Sequence, residues 1–168
     1  MEQFESIVRA FTDKANLIGA VAVTVLASVL GKHWYLFAFF LILNIVDFHY
    51  GRSKAKKTNT LSSAVGAEGI RKKVSYWVVI LLAFGASFVL VEMGKTLGLN
   101  LGFLVLIGWF TLAVYILNEL TSIVENLLVL GYEVPEVLVR GLAAARSAVD
   151  AAGNKIIPAE EHNEEKEA

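Results

Sequence analysis

Cysteine is absent from all 168 residues. That excludes a disulfide framework, a thiol nucleophile and any zinc or iron–sulfur site that needs thiolates. Histidine is scarce: His33, His49 and His162 are too scattered for metal-ligand spacing. Charge is thin as well, at 18% where a soluble domain usually carries about 25%. The 15 basic and 16 acidic residues nearly cancel, so the chain is not a globally basic nucleic-acid binder. No serine–histidine–acid set, phosphate-cradling glycine loop or carboxylate pair beside a substrate pocket is visible, and neither an enzyme nor a cofactor is expected. Apolar surface is what the chain has in excess. Hydrophobic residues make up 56% and the mean hydropathy is +0.60, above the roughly 45–50% apolar content of soluble domains, which places the chain among membrane proteins.

Four stretches carry that hydrophobicity: 17–31, 34–46 continuing to about 50 across Asp47 and His49, 76–91 continuing to 94, and 101–117. A helix crossing about 30 Å of hydrocarbon wants about 20 apolar residues, with about 17 as the lower end. The fourth stretch meets that bound, the third falls one residue short, and the first two are shorter still. Only Gly31, Lys32 and His33 separate the first pair. They read best as a tight hairpin of two short spans, accommodated by tilt or local thinning. The competing reading has one spanning and the other re-entrant or lying along the interface. A cleaved signal peptide is disfavoured, because Glu2, Glu5 and Asp13 offset Arg9 and Lys14 where a signal needs a positive start. Trp34 and Tyr35 at the turn suit an aromatic anchor at headgroup level.

Basic residues set the orientation. The segment 51–73 holds Arg52, Lys54, Lys56, Lys57, Arg71, Lys72 and Lys73 against Glu68 alone. The positive-inside rule puts this loop in the cytoplasm, and with four spans both termini follow. The same cations suit anionic lipid, at about 1 kcal/mol each near the surface.

The expected fold class is therefore all-α: a polytopic membrane protein of four transmembrane helices flanked by soluble segments. Residues 1–16 read as an interfacial helix, with Phe4, Ile7, Val8 and Phe11 at helical spacing. After the membrane domain of 17–117, residues 118–157 read as a cytoplasmic helical segment. Glu133, Pro135 and Glu136 look like a helix start, and Leu138, Leu142, Ala145 and Val149 form a narrow apolar stripe beyond it. Residues 158–168 are an acidic tail with nothing to bury.

Polar residues beside hydrocarbon each need a reason. Asn44 and Asp47, three apart, share one helix face. Asp47 reads either as a headgroup residue paired with a nearby cation such as Arg52, or as part of a polar seam between subunits. Glu92 is expected at the outer interface. Past the fourth span, positions 119, 122 and 126 share one face, as do 118, 122 and 125. Such a strip suits helix–helix hydrogen bonding or a solvated exit. Small residues line one stripe of the first span (Ala20, Thr24, Ala27 or Ser28, Gly31), and Ala83 and Ser87 recur in the third. Small faces let helices approach closely in lipid, within one chain or between copies.

The run Asp47-Phe-His-Tyr-Gly51-Arg, followed by Leu61-Ser62-Ser63, Gly66 and Gly69-Ile70-Arg71-Lys72-Lys73, resembles the basic loop of the phage-lysis and toxin-secretion holins of Gram-positive bacteria. The block Asn118-Glu119-Leu120-Thr121-Ser122-Ile123-Val124-Glu125-Asn126, with Gly131 and Pro135 after it, resembles that family's second signature more closely. Together the blocks and the spans between them cover roughly 34–140. The acidic end departs from the basic tail of many holins, which puts regulation by the tail in doubt.

The resemblance implies a protein that accumulates in the bacterial cytoplasmic membrane, self-associates and opens lesions for an endolysin or toxin lacking a signal peptide. That cargo is not stably bound. On this reading Asn44, Asp47, Gly51, Ser63, Gly69, Asn118, Glu119, Ser122, Glu125, Asn126, Gly131 and Pro135 are the functional candidates, lipid and further copies of the chain are the partners, and an antiholin is a further one. Some holins make that inhibitor from a nearby second start codon. Met1 and Met93 are the only methionines, so a nearby AUG restart is excluded, whereas a valine codon such as that of Val8 is not. Two rival functions stand beside this one. A small dimeric transporter or channel would want a charge in mid-span, which the first, third and fourth spans lack. A non-lytic scaffold or assembly factor would use the helix at 133–150 to dock a partner.

Overall fold

The computed structural model describes residues 31–156 and, before them, only Asn16, Leu17, Ala20 and Thr24. The expected interfacial helix, most of the first span with its small-residue stripe, and the acidic tail lie outside the described residues. Among those described, every regular element is a helix. A 3-10 turn at Gly31–His33 leads into α1 (Trp34–Lys57). There follow α2 (Ser63–Leu97), a second 3-10 turn at Gly102–Leu104, α3 (Val105–Leu130) and α4 (Glu136–Ile156).

Local chemistry sets the boundaries. α1 ends where Thr58 and Thr60 fold back onto the carbonyls of Lys54 and Ala55, both at 2.9 Å. Ser62 caps α2 in extended backbone, its hydroxyl accepting from the Val65 amide at 3.1 Å, which satisfies one orphan donor of the first turn. α3 stops at Gly131, whose φ of +91° suits a residue without a Cβ. There the amides of Gly131 and Tyr132 return to the carbonyls of Leu128 and Leu127. Pro135 then stands one residue before α4, and its carbonyl accepts from the Leu138 amide.

These boundaries shorten the basic connection. The sequence suggests a loop over 51–73, but helix covers all of it except 58–62. Lysine and arginine are good helix formers, so both helices run on beyond their apolar stretches. Likewise the fourth apolar stretch does not end its helix at 117: α3 continues to Leu130 before the break at 131–135.

Among the described residues three helices, Gly31–Lys57, Ser63–Leu97 and Gly102–Leu130, are long and apolar enough to cross a membrane. α2 alone, at 35 residues, is about 52 Å long at 1.5 Å per residue, more than the hydrocarbon thickness. Large apolar side chains point outward along it: Leu81, Leu82 and Phe88 are each more than 60% exposed. Water would penalise such a surface, whereas lipid tails accept it.

The chain forms two compact units, 1–41 and 42–168. In the first, the Tyr35 hydroxyl lies 3.5 Å from His33 Nδ1, and Phe37 and Phe40 are buried. In the second, α2 packs on α3 and α3 on α4. Ile80, Leu112 and Val124 form its apolar interior. The ring of Phe84 meets Trp109 edge-on at 5.0 Å above Gly108, where an added Cβ would stand only 2.6 Å from the Phe84 ring. Ser87 is buried within this chain, its hydroxyl on the Ala83 carbonyl. Glu92 is exposed and pairs with Lys95 at 2.6 Å.

A buried charged cluster as the candidate functional site

The polar residues that the sequence scatters over three helices converge at one place. Lys73, on α2, is at its centre. Its ammonium donates to Asp47 Oδ2 on α1 at 2.8 Å and also to Glu119 Oε2 on α3. The second Asp47 oxygen accepts from Asn126 Nδ2 at 3.0 Å. Just under one turn before Asp47 on α1, Asn44 is buried and its Oδ1 accepts from the Trp77 indole at 3.2 Å.

The spacing explains why these side chains meet. Asn44, Asp47, Gly51 and Ala55 follow one face of α1, at offsets of three and four. Gly51 lies against α3: a Cβ there would sit 3.6 Å from Asn126 Nδ2, an ordinary contact. On α3, Glu119 and Asn126 are seven apart, two helical turns, and both are buried. On α2, Lys73 and Trp77 are four apart. Three helices thus each contribute two polar groups along one stripe.

Burial makes this cluster consequential. The side chain of Glu119 is 4% exposed, and those of Asp47 and Lys73 are each 15% exposed. Two carboxylates share one ammonium, leaving a formal excess of one negative charge among the three. Desolvating such charges is expensive unless their hydrogen bonds are complete. Among the described residues no buried side-chain nitrogen or oxygen lacks a partner. These buried donors and acceptors therefore find partners within a single chain.

The other sequence candidates fall around this centre in different roles. Asp47 pairs with Lys73, not with Arg52. Gly69 lies against the Phe48 ring, 3.8 Å from where its Cβ would be. Ser63 is the first residue of α2, and its neighbour Ser62 does the capping. Asn118 faces away from the cluster and accepts from Arg146 of α4. Ser122 is half-buried and Glu125 is exposed. The two faces proposed for 118–126 thus separate: 119 and 126 turn to α1 and α2, while 118 turns to α4. Gly131 and Pro135 shape the turn between α3 and α4.

Among the cations of 51–73, Arg71 pairs with Glu68 at the surface at 2.8 Å. Lys57 reaches the end of α3, donating to the carbonyls of Leu130 at 2.8 Å and Val129 at 3.1 Å. A cation on the last carbonyls of a helix complements its dipole. Sequence reasoning assigned Lys57 and Lys73 only to topology and lipid, and did not single out Trp77 or Arg146. Nothing in the local pattern marks these four, because their partners are 26 to 73 positions away.

A family model described as the bacteriophage holin family matches residues 24–146, which takes in all three long apolar helices and every member of the cluster. The chain belongs to the bacteriophage holin family. An uncharacterized protein of Halalkalibacterium halodurans is 31% identical over 124 residues, covering 74% of this chain and 87% of the relative. No solved structure matches. The holin match begins within the expected first span and ends within α4. Residues 1–23 and 147–168, including the acidic tail, lie outside it.

Proposed function

We propose that this membrane protein acts as a holin. It accumulates in the bacterial cytoplasmic membrane, self-associates, and opens lesions through which an endolysin or toxin without a signal peptide leaves. The family match over 24–146 is the observation that carries this reading. The basic ends of α1 and α2 face the cytoplasm by the positive-inside rule, so α3 returns the chain to that side and α4 is cytoplasmic. The charged cluster then lies near the cytoplasmic ends of the spans. It fixes how three helices meet in the monomer, and it is the part of the membrane domain that gains most from hydration when copies assemble around water.

Expression in a bacterium, alone and beside a cytoplasmic endolysin without a signal, tests the reading. Abrupt loss of viability after a delay, with lysis only when the endolysin is present, is the expected result. Steady growth at high membrane accumulation overturns it. The double variant Asn44→Leu/Asp47→Leu is expected to insert normally and permeabilise poorly; unchanged lysis timing would remove the cluster from the mechanism. For orientation, a cysteine from Ser53→Cys should be shielded from a membrane-impermeant reagent in intact cells, and one from Asn100→Cys labelled.

One observation favours a second reading. Along the first turn of α4, Val137, Leu138 and Val139 are 73%, 46% and 40% exposed, a surface suited to docking. A non-lytic scaffold would use it, and would show steady growth in the same experiment together with a co-purifying cytoplasmic partner that Val137→Ser/Leu138→Ser releases.

A further inference from the structure

Beside the charged cluster, where α1 hands over to α2, lies a separate cavity of about 160 Å³ that opens to the surface. Phe48, Leu61 and Val65 line it with apolar surface, Gly66 gives it room, and Arg52 and Lys72 supply the charge. Asp47 and Lys73 also line it, but they are already committed to each other.

The charges of 51–73 can be assigned one by one. Lys73 is held by Asp47 and Glu119, Arg71 by Glu68, and Lys57 by two carbonyls of α3. Arg52, Lys54, Lys56 and Lys72 form no ion pair among the described residues. Arg52 and Lys72 are the two of these that face the cavity, and both are exposed. The Lys72 ammonium is 5.8 Å from the centre of the Tyr76 ring. A pocket with two cations that no carboxylate pairs and an apolar wall fits a ligand that is anionic at one end and hydrocarbon at the other. Its place at the shared ends of two membrane-length helices puts it at the depth of phospholipid headgroups.

We propose that this cavity is a site for one anionic glycerophospholipid of the surrounding bilayer. The phosphodiester is held between Arg52 and Lys72, and the upper part of an acyl chain lies along Phe48, Leu61 and Val65. Arginine presents a planar fork matched to phosphate oxygens and lysine a point charge. A zwitterionic lipid brings its own ammonium and gains less. The site is distinct from a diffuse attraction to basic loops, because it has a volume that can be filled. It requires only that α1 and α2 cross a bilayer, and does not depend on lesion formation.

Gly66 supplies the discriminating variant. A Cβ there meets nothing within 4 Å, and leucine is favoured over glycine inside a helix, so Gly66→Leu fills the cavity without straining the fold. The full chain is taken up in mixed micelles of phosphatidylcholine and phosphatidylglycerol, and lipid adducts are counted by native mass spectrometry over a phosphatidylglycerol titration. The expected result is one saturable phosphatidylglycerol per chain. Arg52→Gln and Lys72→Gln should each weaken it about fivefold, and Gly66→Leu should abolish it. Arg71→Gln, which is off the cavity and already paired, should leave it unchanged.

Several results would overturn the proposal. Binding by Gly66→Leu equal to the parent chain would do so, as would equal weakening by Arg71→Gln, which means surface attraction alone. Displacement by inorganic phosphate or glycerol phosphate at comparable concentration would make this a phosphate site and not a lipid site. The Arg52 and Lys72 variants alter only exposed side chains, so they remain decisive should Gly66→Leu fold poorly.

Discussion

At one end of the α2–α3 pair, Phe84 stands edge-on to Trp109 over the bare backbone of Gly108. At the other, Lys73 joins Asp47 to Glu119, and Lys57 reaches over to the last carbonyls of α3. The first end is held by shape, through contacts that any well-fitting apolar side chain can replace. The second is held by direction, through donors and acceptors that admit few substitutes. Lipid gives apolar helices no hydrophobic reason to associate, so the apolar end sets how closely the helices approach but leaves their rotation weakly specified. The polar end fixes rotation: only one setting of α1, α2 and α3 satisfies two carboxylates with one ammonium. The timed assembly proposed above would need both properties, a starting state that is unambiguous and a surface free to repack.

The largest effect should come from removing the centre of the polar end. Lys73→Met leaves two carboxylates buried together without a cation, at a cost of about 3 kcal/mol or more, the range for breaking a buried pair from one side. Unfolding in a mixed micelle, followed by loss of helical circular dichroism, measures it. Adding Asp47→Asn and Glu119→Gln to Lys73→Met should recover most of the loss, because no bare charge then remains. A single variant as stable as the parent chain would break the comparison, since the charges would not be holding that end.

The apolar end is tested by overpacking. Gly108→Leu drives a side chain into the Phe84 ring and should cost about 1–3 kcal/mol. Phe84→Ala in the same chain should return part of it by making room. If Gly108→Leu is neutral, the two helices can separate there freely and shape does not hold them. Lys57→Gln comes next. It gives up a charge-assisted bond to the end of α3, worth about 1 kcal/mol, and should loosen the α3–α4 turn first. Hydrogen exchange at the amides of 127–132 reads that directly.

How much of this was legible in the sequence differs between the same two regions. Runs of apolar residues gave the all-helical, membrane-spanning character, because hydrocarbon thickness imposes a length that composition reveals. The offsets of Asn44 to Asp47 and of Glu119 to Asn126 placed each pair on one face, because helix periodicity is local. What joined these faces was not legible. Lys73 is one of seven cations in 51–73 and looks like its neighbours; only the approach of α1 and α3 distinguishes it. The same holds for Lys57, whose partner carbonyls are more than 70 positions away. The helical character of the basic stretch was available from propensity, but polar composition obscured it by resembling a loop.

Glu125 offers the smallest effect on stability and the sharpest division between fold and function. It stands in the same Asn-Glu-x-x-Ser-Ile-x-Glu-Asn pattern as Glu119 and Asn126, yet it is exposed and joins no ion pair among the described residues. A surface substitution away from caps, cores and networks usually stays within about 0.5 kcal/mol, so Glu125→Ala should leave the unfolding transition in place. Glu119→Ala, six residues earlier, should not, because Lys73 loses a partner. If the pattern serves only to build the monomer, Glu125→Ala will also lyse on schedule beside the endolysin. If the exposed position meets a second copy, lysis timing will shift while stability does not. Delay with an unchanged transition would place Glu125 at a contact between subunits; unchanged timing would confine the pattern's work to the cluster inside each chain.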